Sequence, residues 1–183
     1  MSPIASPNFE SGPPREGAVE LARVVDRGVR EAKIIDVEKL CITPAEEVWT
    51  VFIDLRILNY DGNLFDACTI AAMAALLSTK IPKYKDGKIV EGEYDGKLPM
   101  NGFSTMSTFV KIGNHIVVDP ILDEDKAMSA RLSVSVNDKG QLCAMQKGEV
   151  GAFTAEEVDQ IIMDKAFKAA KQLQKVIKDL PSK

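Results

Sequence analysis

Histidine is almost missing from this chain: His115 is the one residue of its type in 183. A lone histidine has no second ring to complete a zinc site or a catalytic pair, and its place behind Gly113-Asn114 reads as a loop. Neither metal-ligand spacing, a nucleotide-binding glycine motif nor a nucleophile elbow is present, so no metal is expected on this chain. Cysteine is scarce and odd in number. Cys41, Cys68 and Cys143 are far apart in apolar contexts, which predicts reduced core thiols and a cytoplasmic setting. A basic excess is also lacking. With 23 Lys and Arg against 27 Asp and Glu, net charge -4 and pI near 5.2, the chain is excluded as a free-standing nucleic-acid binder, because phosphate contacts need a local basic surface. Any RNA contact must come from a small patch or be shared with a partner. The longest apolar run lies within Ala67 to Leu77, too short to cross a bilayer. The N-terminus has neither a basic region nor an apolar one, so no export signal is expected.

What is present suffices for one folded domain over residues 1–183, since 45% of residues are hydrophobic and 27% charged. Pro13 and Pro14 lead into Ala18, Leu21, Ala22, Val25 and Val29 at helical spacing. Val37 to Thr43 and Trp49 to Leu58 read as a strand hairpin around Pro44-Ala45-Glu46-Glu47, the second strand alternating Trp49, Val51, Ile53, Leu55 and Ile57. Residues 64–77 read as an Ala-rich helix whose Ala67, Ala71, Ala72, Ala74 and Ala75 permit close approach to a sheet. From Lys80 to Lys97 the composition turns to Lys, Asp, Glu and Gly, predicting an exposed loop at about 80–98 with turns at Lys85-Asp86-Gly87-Lys88 and Tyr94-Asp95-Gly96-Lys97. Phe103 to Ile112 with Ile116 to Asp119, and Arg131 to Val136 with Leu142 to Gln146, read as two further hairpins. A long last helix opens on the capping box Thr154 and Glu157 and presents Val158, Ile161, Ile162, Ala166, Ala169, Leu173, Val176 and Ile177. The order of strands, helix, strands, helix predicts an α+β domain of two similar strand–helix halves.

Chemistry concentrates where the strand runs into the Ala-rich helix, at Asn59-Tyr60-Asp61-Gly62-Asn63-Leu64-Phe65-Asp66-Ala67. Such a turn aims backbone N–H groups and the positive end of a helix dipole at one point, which suits phosphate. Here Asn63, Leu64, Phe65 and Asp66 offer no guanidinium, and Asp66 sets a like charge at the attractive end. On the residues alone an ordinary connection is favoured. A second cluster, Asp119, Asp123, Glu124 and Asp125, has the carboxylates to hold Mg²⁺ or move protons, or else caps a helix on a solvated surface. In the first helix Arg23, Arg27 and Arg30 share a face; the bland reading pairs them with Glu20, Asp26 and Glu31.

These stretches, with Ser6-Pro7-Asn8-Phe9-Glu10-Ser11-Gly12-Pro13-Pro14, Glu20-Leu21-Ala22-Arg23-Val24-Val25-Asp26-Arg27, Trp49-Thr50-Val51 and Val118-Asp119-Pro120 through Asp125, resemble the RNase PH family, most closely its non-catalytic subunits from the archaeal exosome. The resemblance implies an RNase PH-like fold and a place in a hexameric ring, alternating with a catalytic homologue and carrying RNA-binding cap subunits. Such a complex degrades single-stranded RNA from the 3′ end with phosphate and Mg. It implies that Arg23 and Arg27 contact RNA, and that Asn63, Leu64, Phe65 and Asp66 are a degenerate phosphate site, Leu64 and Phe65 standing where the family's Gly-Ser-Arg tripeptide ends. Asp119 and Asp125 match acidic positions that assist phosphorolysis, while Ile121 stands where catalytic relatives tend to have Asp. No catalytic residue and no cofactor of its own are implied. The resemblance also implies roughly a further hundred residues, mostly strands, ahead of Ser2. The alternative is a phosphorolytic nuclease in its own right, relying on Asp119 and Asp125.

Overall fold

The computed structural model describes residues 3–9 and 12–179; Glu10 and Ser11 of the N-terminal motif lie outside them. At its centre is a four-stranded antiparallel sheet in the order β6-β5-β7-β8. It is built from β5 (Ser104–Ile112), β6 (His115–Val118), β7 (Ala130–Asn137) and β8 (Leu142–Gly148). These are the two hairpins expected from Gly113-Asn114 and Asn137 to Gly140, and Phe109↔Leu132 fixes the register between them. His115 opens β6, exposed and paired with Ile112, rather than lying in a loop.

Alternation along β5 and β7 gives the sheet two unlike faces. Phe109, Leu132, Val134 and Val136 pack on Ile161, Ala166 and Ala170 of the C-terminal helices. The other face is buried yet rich in hydroxyls, Ser104, Thr108, Ser133 and Ser135. Helices α1 (Glu16–Arg30) and α2 (Leu64–Ser78) cover it. Small side chains let α1 come close: Ser104 Oγ donates to the carbonyl of Gly28, 2.7 Å away, in the last turn of the helix. The sheet thus lies between two helical layers, and Met106 joins Leu21, Val24, Val25, Phe65 and Ala72 beneath α1 and α2.

Several expectations need correction. Only Cys41–Thr43 (β1) and Glu47–Val48 (β2) form the first hairpin, and Val37–Leu40 is a 3-10 turn. Trp49 to Leu58 belongs to no sheet among the described residues. Its alternation holds in part: Trp49, Val51, Leu55 and Ile57 pack inward and Phe52 and Leu58 stay exposed, but Ile53, expected inward, is exposed too. Alternation fixes which side of an extended chain is buried, but hydrogen-bond partners must come from elsewhere. The stretch 80–98 is a hairpin, not a loop: β3 (Lys80–Lys85) pairs β4 (Lys88–Lys97) through Asp86-Gly87, and the expected turn at Tyr94 to Lys97 lies inside β4 at a register shift.

On α2, Ala67, Ala71 and Ala75 are exposed; Asp66, Thr69, Ala72, Met73 and Leu76 face inward. On α1, Ala22 is likewise exposed and Val24 buried. Of the cysteines, all free, Cys68 is buried but Cys41 is exposed and Cys143 half-buried. A short helix, α3 (Leu122–Ala127), follows β6, with the Glu124 carboxylate accepting from Ile121 N–H at 3.0 Å. The last helix starts on its capping box, Thr154 Oγ1 accepting from Glu157 N–H at 3.2 Å and Glu157 Oε2 from Thr154 N–H at 2.8 Å. It then splits into α4 (Ala155–Gln160), a π-helical turn Ile161–Ala166, and α5 (Phe167–Lys178). The wider turn shifts the phase of the buried face. Ala170 and Gln174 are buried in place of Ala169 and Leu173, and Val176 is exposed. Gln174 meets the cost by donating from Nε2 to the Asn137 carbonyl at 2.9 Å.

Candidate functional site

Gly62 and Asn63 shape the turn that enters α2. Gly62 has φ +97, and a Cβ there would run into the backbone of Pro120 to Leu122, so glycine permits the turn to dock on the segment between β6 and α3. Asn63, left-handed at φ 42, caps α2. Its amide Nδ2 donates to Asp66 Oδ2 at 2.8 Å and Asp119 Oδ1 at 2.6 Å.

The Asp66 carboxylate points into the protein. It accepts from Thr108 N–H at 2.9 Å and from Thr108 Oγ1 at 2.7 Å, while Thr108 Oγ1 also meets Ser133 Oγ at 2.8 Å. Burial raises its pKa to about 6; the bonds from Asn63 and Thr108 oppose this, and Asp119 adds to it. The first turn of α2 is therefore faced by a buried carboxylate fixed by three donors. An arriving anion finds the place taken and no guanidinium among Asn63, Leu64, Phe65 and Asp66, so these residues do not fit phosphate.

Asp119 and Asp125, far from the turn in sequence, are both brought to it. Asp119, exposed and left-handed at φ 56, contacts Asn63. Asp125 Oδ2 accepts from Tyr60 Oη at 2.8 Å, and burial followed by this carboxylate raises the tyrosine pKa. Neither caps α3. Among the described residues no group of three or more His, Cys, Asp and Glu is arranged to hold a metal ion.

Arg131 borders the site and was missed by the sequence reading. Only 6% exposed, it rises from β7 over the Phe65 ring, 4.1 Å from guanidinium carbon to centroid. Its Nη2 donates to Glu20 of α1, and Glu149 Oε1 lies 3.9 Å from Nη1. Gly148, its register partner on β8, leaves room where any Cβ would collide with the guanidinium. A charged residue at an inward position of an apolar strand was the available signal. Its counter-ion lies 111 residues away.

Arg23 and Arg27 stand exposed on α1, lining a groove of about 380 Å³ with Glu16, Glu20 and Gln146. Arg27 Nη1 donates to Gln146 Oε1 at 2.7 Å, whereas Arg23 has no hydrogen bond or ion pair among the described residues. The bland pairing holds in part: Arg30 pairs with Asp26, but Glu20 is held by Arg131. Beside the groove, a cavity of about 200 Å³ is lined by Asn63, Phe65, Asp125 and Arg131, and Glu20 borders both.

Residues 1–82 match the 3′ exoribonuclease family, domain 1, and residues 103–169 match its domain 2. The chain is 52% identical over 161 residues to the exosome complex component Rrp42 of Methanothermobacter thermautotrophicus, covering 86% of this chain and 59% of that one. To the component of the same name from Thermococcus gammatolerans it is 49% identical over 181 residues, covering 97% and 66%. It thus spans about three fifths to two thirds of these relatives. A solved structure of the Archaeoglobus fulgidus exosome with RNA bound to the active site contains a chain superposing with TM-score 0.88 at 38% identity, covering 96% of this chain and 67% of that one.

Proposed function

Because this chain belongs to the 3′ exoribonuclease family, carrying both of its domain matches in order, we propose that it is a non-catalytic, RNA-contacting subunit of an archaeal exosome ring that degrades RNA from the 3′ end. The observation that carries the reading is the turn itself. Its Asp66 carboxylate is buried at the end of α2, and Phe65 stands where a phosphate-binding arginine is needed. Phosphorolysis needs phosphate binding, RNA positioning and charge stabilisation, and these can be divided between chains. In this division the catalytic RNase PH-like partner, alternating with this chain, supplies the phosphate and Mg chemistry, and RNA-binding caps complete the assembly. This chain supplies the interface and, through Arg23 and Arg27, contacts to single-stranded RNA. Arg23 has no partner among the described residues and Arg27 only the exposed Gln146 amide, which leaves N–H groups of both for phosphate, a ligand that the planar fork suits.

Residues 1–183 act as one domain in this reading, since one sheet carries helices from both matched segments. The chain contains no helix, among the described residues, long and apolar enough to cross a membrane. Three free thiols support a reducing, cytoplasmic setting. The rival, an enzyme relying on Asp119 and Asp125, is separated by two measurements. Mixing with a catalytic RNase PH-like partner should give a complex with the mass of an alternating ring. Alone, with 3′-tailed RNA, Mg²⁺ and phosphate, the chain should release no nucleoside diphosphate above blank. Release at a rate matching a catalytic relative overturns the reading.

A further inference from the structure

Lysine is spread unevenly over this acidic chain. Helix α5 holds four in 12 residues, Lys168, Lys171, Lys175 and Lys178, and no acid at all, although the whole chain carries net charge -4. Spacings of three, four and three put them on one face, and all four are exposed. At about 1.5 Å per residue the face is about 15 Å long. The helix dipole favours cations in the last turn, where Lys175 and Lys178 stand, but gives no reason for Lys168 and Lys171 at the start of α5. Nor are the four paired off: Asp164 and Asp179 flank the row, yet neither forms an ion pair with any of them among the described residues.

The row continues past the end of the helix. Lys178 Nζ lies 5.8 Å from the centroid of the Phe103 ring, and the Phe103 carbonyl accepts from Asp138 N–H at 2.9 Å. With the Gln174 bond to Asn137, these contacts fasten the end of α5 to the turn between β7 and β8. There a polar cavity of about 280 Å³ is lined by Lys33, Asn101, Asp138 and Lys139, both lysines exposed. Asp138, the one carboxylate lining it, lies against Gly102, where a Cβ would come within 2.6 Å of its Oδ1. None of the six ammonium groups has a hydrogen bond or ion pair among the described residues.

A row of like charges that ends in a polar cavity suits a linear polyanion better than a small ion, which could meet only one or two of them. The aromatic residues along it, Phe103 and Phe167, are packed into the core, so no ring is offered for a base to stack on and the contact is to backbone charge. Ammonium groups on flexible stems follow a flexible phosphate backbone without selecting sequence. Helix α5 packs on the apolar face of the sheet, whereas α1 with Arg23 and Arg27 lies on the other. We propose that the lysine face of α5 and the Lys33–Lys139 cavity form a second track for single-stranded RNA, held by its phosphates, an inference that rests on the reading of this chain as an RNA-contacting subunit.

Replacing Lys168, Lys171 and Lys175 together by Gln removes three charges and keeps good helix formers. If each meets one phosphate, the slope of log K against log salt for RNA binding to the assembled ring should fall by about 2 in magnitude, at about 0.7 per phosphate. Lys139→Gln alone should lower it by about 0.7, and serves if the triple variant assembles poorly. In the free ¹⁵N-labelled chain at low salt, oligouridine should shift the amides of Lys139, Lys171 and Lys175, and polyglutamate of equal charge should shift them less. An unchanged slope in both variants, or no shift at these amides, overturns the proposal. Polyglutamate binding as tightly as oligouridine also overturns it, and makes the row a docking site for an acidic protein. Failure of the ring to form overturns the subunit reading instead, and the free-chain titration then decides the track alone.

Discussion

Replacing Asp66 by asparagine should make the protein's stability less dependent on pH, and the size of the effect follows from the contacts around one carboxyl group. Asp66 ionises near pH 4 in an unfolded chain and at about 6 in the folded one, chiefly through burial. Between those values the folded state holds a proton that the unfolded state has released. The group's contribution is therefore full below about pH 4, declines as pH rises toward 6, and is lost above it. A displacement of about two pH units corresponds to roughly 3 kcal/mol. Asparagine is nearly isosteric and can keep the network. Its oxygen takes the bonds from Thr108 N–H and Asn63, while its amide donates to Thr108 Oγ1, whose own hydrogen turns to Ser133.

The quantity to measure is the urea unfolding free energy of both proteins from pH 4 to 8. Differences between the two cancel the other carboxylates, which titrate alike in each. Asp66→Asn should gain on the natural protein by roughly 3 kcal/mol across this range, with most of the gain between pH 4.5 and 6.5. Parallel profiles would mean that Asp66 is solvated in the folded state. The inward carboxylate would then be the wrong reason for the missing anion site.

Phe65→Arg alone should leave the chain inactive toward RNA and phosphate, because one carboxylate about 4 Å from a bound phosphate opposes it by on the order of 1–4 kcal/mol and the new guanidinium would sit against Arg131; nucleoside diphosphate release at a catalytic relative's rate refutes this. Replacing Arg23 and Arg27 together by Ala should lower the slope of log K against log salt for RNA binding to the complex by about 1.4 in magnitude, at about 0.7 per phosphate, with the ring's mass unchanged; an unchanged slope returns both to a solvated helix face. Arg131→Met should destabilise by roughly 1–2 kcal/mol, less than a fully buried pair loses, because the Glu20 and Glu149 side chains are 34% and 45% exposed and can rehydrate. Urea unfolding checks it, and no loss at all would make the pairing incidental.

The sequence was legible where the deciding contacts are local. Helical spacing located α1 and α2, turn residues located β5–β6 and β7–β8, and the Thr154–Glu157 pair marked the start of the last helix. It was illegible where distant partners decide. Trp49 to Leu58 shows a strand's alternation, but period alone cannot say whether another chain segment is there to take its hydrogen bonds. The π-helical turn after Gln160 moves Gln174 inward because a carbonyl at Asn137 accepts from it, which no periodicity reveals. The alanine stripe of α2 faces outward because Thr69 and Met73, beneath it, already fill the inner face. At the site, the residue types at 63–66 showed that the turn offers no guanidinium. That Asp66 turns inward, and that Arg131 covers Phe65, depend on Thr108 and Glu20, 42 and 111 residues away.

The same contacts that close this turn to anions also hold it to the sheet, and that sets how easily the site could be reopened. An anion cradle needs the first N–H groups of a helix and a cation left unpaired toward solvent. Here Asp66 spends its carboxylate on Thr108 of β5, and Arg131, the cation over the Phe65 ring, spends its guanidinium on Glu20 of α1 and Glu149. Freeing the helix end by truncating Asp66 to alanine takes an acceptor from the Thr108 backbone N–H inside the protein. Freeing Arg131 by removing Glu20 breaks the tie between α1 and β7. Each step toward a cradle thus loosens α1 or α2 over the hydroxyl-rich face of the sheet, and neither alone brings a phosphate-binding arginine to position 65. Recovery of phosphate binding therefore requires at least two changes, since neither clearing the helix end nor placing an arginine at position 65 makes a cradle alone.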